Sequence, residues 1–255
     1  MTTTAEIYEF MKLLAPPELQ MDFDNAGFLV GGLERGVSRV LLALDATSEV
    51  IAEAAGMGAE LLITHHPLIW NAMKRLTEAD ITQRRVLRLA ENRISLISMH
   101  TNLDIAEGGV NDVLLELLGA DFVSVLDEDG CGRVGLLRKP TDMAHFLPFC
   151  KAALQSEGLR YYDAGRMVKK IAVMGGAGGG SVERAYALGC DSYLTADIKY
   201  DQFLAARELG INLIDGDHFC TENPVILALC ERLRLAFPGV EFYVSRVHGQ
   251  TARFA

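Results

Sequence analysis

Short apolar runs alternate with longer amphipathic stretches along this chain. Val40-Leu41-Leu42-Ala43-Leu44, Leu61-Leu62-Ile63 and Ile94-Ser95-Leu96-Ile97 read as strands buried on both faces. Between the first two, Thr47 or Ser48 can cap a helix that runs through Met57 and is ended by Gly58. A second helix, about Asp80 to Asn92, carries Ile81, Val86, Leu87 and Leu89 as its apolar stripe. Asn111 to Leu118, closed by Gly119, is a third. Alternation of this kind predicts right-handed crossovers and a mostly parallel sheet.

The pattern then restarts. Ile171-Ala172-Val173-Met174 is a strand, Ser181 to Leu188 a helix and Tyr193-Leu194-Thr195 a strand. Asp197 to Leu209 is a helix ending at Gly210, followed by the strand Ile211-Asn212-Leu213-Ile214. A shift of 131 positions, from 40 to 171, lays Val40 on Ile171, Ala54 on Ala185, Gly58 on Gly189 and Thr64 on Thr195 without a gap. Any two such units share a pattern, but the register and the matched Gly and Thr favour an internal duplication. The predicted fold class is α/β, with two similar α/β domains and mostly parallel or mixed sheets. The acidic turn Leu126-Asp127-Glu128-Asp129-Gly130 marks the join. The tail, a helix from Pro224 to Phe237 and a strand from Val240 to Ser245, returns to the first half. The domains expected are therefore 1–127 with 217–255, and 128–216.

Composition removes several classes of function. The chain has 255 residues, half of them hydrophobic, enough for full cores and too apolar for disorder. A net charge of −10 argues against an extended nucleic-acid surface, although metal ions could hold a single nucleotide. No apolar run approaches a membrane span, and the start Met1-Thr2-Thr3-Thr4-Ala5-Glu6 has no leader character. The five cysteines are odd in number and lack CxxC spacing, as reduced thiols in a cytoplasmic protein would.

Three polar islands, each following an apolar run, carry the chemistry: His65-His66, Asp104, and His218 with Glu222. Open α/β sheets place ligands at the carboxyl ends of their strands. Five imidazole and carboxylate groups exceed the three protein ligands of one catalytic zinc. They suit two divalent ions sharing a bridging carboxylate, with positions left for water or substrate. Glu222, with two oxygens, suits the bridge at the start of the helix that Pro224 begins. Three imidazoles favour Zn, Fe, Mn or Co over Mg or Ca. His100 has three open roles: orienting a ligand, general acid or base, or capping its strand.

Other residues have plainer readings. Gly175-Gly176-Ala177-Gly178-Gly179-Gly180 joins a strand to a helix, where backbone N–H groups can meet an anion, but it lacks a dinucleotide fingerprint and a phosphate-binding lysine. A flexible connection is the simpler view. Asp217 reads as turn chemistry, Cys220 as a core residue, and His145 and His248 as surface or structural side chains.

Several segments together resemble the NIF-three-like family, also known as GTP cyclohydrolase I type 2 homologues. They are Asp24-Asn25-Ala26-Gly27-Phe28-Leu29-Val30-Gly31, Leu44-Asp45-Ala46-Thr47, Ile63-Thr64-His65-His66-Pro67-Leu68-Ile69, His100-Thr101-Asn102-Leu103-Asp104, Asp197-Ile198-Lys199-Tyr200 and Gly216 to Glu222. The resemblance implies a two-domain α/β fold, a dinuclear metal site at the domain interface and a toroidal homohexamer. By position it implies His65, His66, Asp104, His218 and Glu222 as ligands. Gly216-Asp217-His218-Phe219-Cys220-Thr221-Glu222 stands where many relatives have Gly-His-Tyr-Ala-Thr-Glu, a departure that touches the pocket lining and keeps the ligand types.

The expected function is a metal-dependent hydrolase of a small, nucleotide-like substrate, with His100 as its catalytic proton carrier. One alternative is GTP cyclohydrolase activity proper. The other is a non-enzymatic metal-handling or interaction protein.

Overall fold

A computed structural model describes residues 1–254, and the chain divides into two compact units: Met1–Ala106 with Ile226–Gly249, and Glu107–Val225 with Gln250 onward. The first unit runs through α1 (Thr4–Leu14), β1 (Gly27–Val30), β2 (Arg39–Ala43), α2 (Ser48–Gly56), β3 (Leu61–Thr64), α3 (Ile81–Glu91), β4 (Ser95–Ser98) and α4 (Thr101–Ile105). The second holds α5 (Val110–Leu117), β5 (Ala120–Val125), β6 (Arg133–Thr141), α6 (Met143–Ala153), β7 (Arg160–Tyr162), β8 (Val168–Val173), α7 (Val182–Ala187), β9 (Ser192–Thr195), α8 (Tyr200–Leu209) and β10 (Asn212–Asp215). It also holds the first turns of α9 (His218–Ala236). The rest of α9 and β11 (Glu241–Val244) belong to the first unit.

The first unit's sheet has the order β1-β4-β3-β2-β11, parallel except for β1. Leu41, Ala43, Leu62 and Leu96 of the sheet pack with Val50, Ile51 and Ala54 of α2 and Val86 and Leu89 of α3. In the second unit the order is β5-β6-β8-β9-β10-β7, with a parallel centre of β8, β9 and β10 and antiparallel neighbours on each side. Successive residues of the central strands serve opposite faces. Ile171, Val173, Leu194 and Ile214 meet Phe146, Cys150 and Leu154 of α6, whereas Ala172, Tyr193 and Leu213 meet Val182, Ala185 and Ala206. Both sheets are thus mixed, with parallel centres buried on both faces.

The repeated unit is visible in the pairing. β2 and β3 align Val40 with Leu61 and Leu42 with Ile63; β8 and β9 align Ile171 with Ser192 and Val173 with Leu194, the same register at a shift of 131. Gly58 and Gly189, also 131 apart, both leave their helices with positive φ, +69° and +75°, which glycine adopts without strain.

Two helix starts differ from the sequence reading. α8 begins at Tyr200 because Asp197 takes φ +52°, a conformation no helix interior contains. α9 begins at His218, not Pro224, since Asp217 acts as its cap: its Oδ1 accepts the Cys220 N–H at 3.1 Å. Pro224 sits inside the helix and removes the bond that would reach the Cys220 carbonyl.

Candidate metal centre

In the first unit the chain turns directly after β3, and the N–H groups of His65 and His66 both donate to the Leu44 carbonyl, at 3.2 and 3.0 Å. The turn cancels the strand alternation that would part the two side chains. Their ring centroids lie 4.9 Å apart, and that of His100, at the end of β4, lies 5.1 Å from His65 and 5.6 Å from His66. Ligand atoms of these three histidines fall within 4.8 Å of one another. Asp104 joins them, its Oδ1 3.6 Å from His65 Nε2.

Asp104 reaches that position because α4 is pinned residue by residue. Thr101 donates from its N–H and its hydroxyl to Asp24 Oδ2, at 3.0 and 2.6 Å. Asn102 accepts the His100 N–H at 3.0 Å and donates to the Ala15 carbonyl at 2.8 Å. Leu103 is buried, and the Asp104 N–H closes the turn on the His100 carbonyl at 3.0 Å.

In the second unit His218 and Glu222 stand four residues apart on α9 and so share a helical face. His218 Nε2 lies 3.1 Å from Glu222 Oε2. Glu222, with a side chain 5% exposed, backs onto the glycine loop, where a Cβ at Gly176 would collide with Glu222 Oε1. The N–H groups of Gly175, Gly176 and Gly178 donate to Asn111 Oδ1, Thr221 Oγ1 and Thr195 Oγ1. Those N–H groups support the carboxylate's surroundings and do not form an open anion cradle.

One rule governs all four histidines: each Nδ1 is already engaged. His65 Nδ1 meets the Met99 carbonyl at 2.8 Å, His66 the Asp45 carboxylate at 2.9 Å, His100 that of Asp24 at 2.9 Å and His218 that of Asp197 at 2.8 Å. Partners of this kind fix ring orientation and leave Nε2 as the ligating or proton-carrying atom. Glu222 first, and then Asp197, favour the charged form of His218, whose pKa is pushed up to about 9 against the opposing effect of burial. Burial would raise the Asp24 carboxyl, but the bonds from His100 and Thr101 outweigh it and hold the group at about 2.

The family model for Duf34/NIF3 (NGG1p interacting factor 3) matches residues 2–250. The chain belongs to this family. A DUF34/NIF3 relative from Clostridium perfringens, named GTP cyclohydrolase 1 type 2 homolog, is 37% identical over 249 residues, covering 94% of this chain and 95% of that one. Among solved structures, Staphylococcus aureus hypothetical protein SA1388 superposes with a TM-score of 0.92 at 26% identity, over 99% of each chain. Reduced HcgD from Methanocaldococcus jannaschii gives 0.84 at 30% identity, over 95% of this chain and 97% of that one.

Within this DUF34/NIF3 fold, the structure groups His65, His66, His100 and Asp104 in the first unit and His218 with Glu222 in the second. Sequence reasoning passed over Asp24, Asp45 and Asp197 as orienting groups. Each lies in a segment that carries the family resemblance, and Asp45 and Asp197 follow strands as the ligands do, which was the available signal. Cys220 belongs to the α6-side core, and burial pushes its thiol up to about 12. His145 is exposed and bonded to Asp142 at 2.6 Å. His248 is not idle: its Nδ1 accepts the Leu44 N–H at 3.2 Å, on the residue whose carbonyl holds His65 and His66.

Proposed function

We propose that His65, His66 and Asp104 act with His218 and Glu222 as the ligands of two divalent cations, and that the protein is a metal-dependent hydrolase of a small substrate. The observation that carries the reading is the uniform engagement of Nδ1, which commits four imidazoles to present Nε2. Imidazole nitrogens with carboxylate oxygens fit Zn, Fe, Mn or Co. Such ions, when bound, supply Lewis acidity and activated water at neutral pH. His65, His66 and His218 would offer Nε2 donors, Asp104 a hard oxygen and Glu222 its carboxylate; His218, whose charged form is favoured in the metal-free protein, would give up its Nε2 proton to a cation.

His100 is the proposed proton carrier. Asp24 stays ionised at any physiological pH and accepts from Nδ1, so Nε2 is the atom that exchanges a proton with substrate. Its three ring neighbours restrict how the imidazole can tilt. The reading is tested by Glu222→Ala. Elemental analysis of the purified, metal-loaded variant is expected to show loss of bound metal together with loss of turnover in a screen of small phosphate, amide and heterocycle substrates. Full metal content in that variant would defeat the ligand assignment.

The name of the Clostridium perfringens relative favours one narrower reading, cleavage of GTP itself. Formate released from GTP by metal-loaded protein would establish it, and none at high enzyme concentration would remove it while leaving other hydrolysis open.

A further inference from the structure

Trp70 is the chain's only tryptophan, and 47% of its surface is exposed beside the histidine cluster. Leaving that much indole in water forgoes a large burial gain, so its placement calls for a cause. The side chain is not loosely tethered. Pro67 and Leu68 are buried, and the Ile69 carbonyl accepts from Asn25 Nδ2 at 2.6 Å. The preceding residue, Asp24, holds the imidazole of His100. Two adjacent residues thus fix both the loop that carries Trp70 and the ring it meets.

The two rings are perpendicular, with centroids 5.2 Å apart and an interplanar angle of 89°. In such a contact one ring offers its edge and the other its face. Whichever way round it is, His100 covers at most one face of the indole. With 47% of the residue exposed, part of the indole is open to a flat partner, and His65 and His66 lie one ring contact beyond His100.

We propose that Trp70 is a stacking platform for a planar, conjugated heterocyclic substrate, whose ring lies against the exposed part of the indole at the rim of the histidine cluster. This deepens the hydrolase reading and rests on it, adding the class of substrate. Offset stacking needs a delocalised face on both partners. A puckered ring with the same polar groups would therefore be discriminated against.

Because Trp70 is the sole indole, its fluorescence reports directly on the platform. The experiment uses full-length, zinc-loaded protein and three probes: hypoxanthine, and the pair uracil and 5,6-dihydrouracil, which share polar groups but differ in planarity. Hypoxanthine and uracil are expected to quench the emission saturably, and dihydrouracil to leave it unchanged. By calorimetry, Trp70→Phe should keep most of the affinity for hypoxanthine, whereas Trp70→Ala should lose about tenfold, equivalent to about 1.4 kcal/mol. Zinc content should be unaltered in both variants. Equal hypoxanthine affinity in Trp70→Ala and wild type, with zinc bound, would overturn the platform alone. So would an indole shielded from iodide in the ligand-free protein, as it would be under a second copy of the chain, or loss of zinc from Trp70→Ala. Failure of the wild type to take up zinc, seen before any probe is added, would overturn the metal reading and this one with it.

Discussion

Asp24 illustrates how much one side chain can carry. Its carboxylate is wholly buried and takes bonds from the His100 ring, the Thr101 N–H and the Thr101 hydroxyl. Its pKa falls from an ordinary 3.8 to about 2. A folded-state value below the unfolded one means that the ionised form stabilises the fold. That contribution, about 2 kcal/mol, is complete above pH 3.8 and disappears as pH drops through about 2. Asp24→Asn is expected to be less stable than wild type at neutral pH by about that amount and to converge with it toward pH 2. Urea unfolding at a series of pH values measures the difference, and a constant gap between the two proteins would refute the account. The same variant should also lower turnover, since it frees His100 to tilt. Nothing local in the sequence announces this role, because residue 24 meets residue 100 only after folding.

At the scale of elements, the parallel centres were legible and the antiparallel margins were not. β3, β4, β9, β10, all of β2 after Arg39 and the Ile171–Val173 half of β8 are buried on both faces, and their apolar runs are what the sequence displays. β5 and β6 escape that test. β5 leaves Phe122, Val123 and Val125 exposed, and β6 carries Arg138, Lys139 and Pro140 where its pairing with β8 is interrupted between Leu136 and Thr141. The amphipathic α1 also went unread. Among loops, glycine content had suggested a flexible connection, where the structure ties the N–H groups of Gly175, Gly176 and Gly178 to Asn111, Thr221 and Thr195 and backs the loop onto Glu222. Gly176 has φ +64°, and a methyl group there would strike that carboxylate. Gly176→Ala is therefore expected to cost at least about 1 kcal/mol from the backbone alone and to reduce metal content by displacing Glu222. Thermal unfolding and elemental analysis check the two parts. A variant with native stability and full metal would show that the loop yields without consequence.

For the whole molecule, the proposed ligands are carried by both units, so bound metal should join their unfolding. Metal that binds only the folded protein at about a hundred times its Kd adds about 2.7 kcal/mol, which for a chain of this size raises Tm by roughly 5–10 °C. Calorimetry before and after exhaustive chelation is expected to show that fall, with a single transition giving way to a broader or divided one. An unchanged Tm would mean that the ions, if held, contribute nothing to the fold. At this scale the duplication was readable because its shift of 131 is constant over the whole strand–helix–strand segment. The ligand groups were readable because they stand at strand ends and on one helical face. What bridges the two, the engagement of every Nδ1, depends on contacts across 21 to 76 positions of chain and had no signature in spacing.

The matched registers make the two segments exchangeable cassettes. Residues 171–195 could be spliced in place of 40–64 with no insertion or deletion, and both end in threonine. The graft would deliver His65 and His66 to the strand terminus in phase while replacing most of the apolar interior beneath them. A hybrid of that kind separates two inheritances that the native chain merges: where the backbone sets its ligands down, and what fills the space behind them.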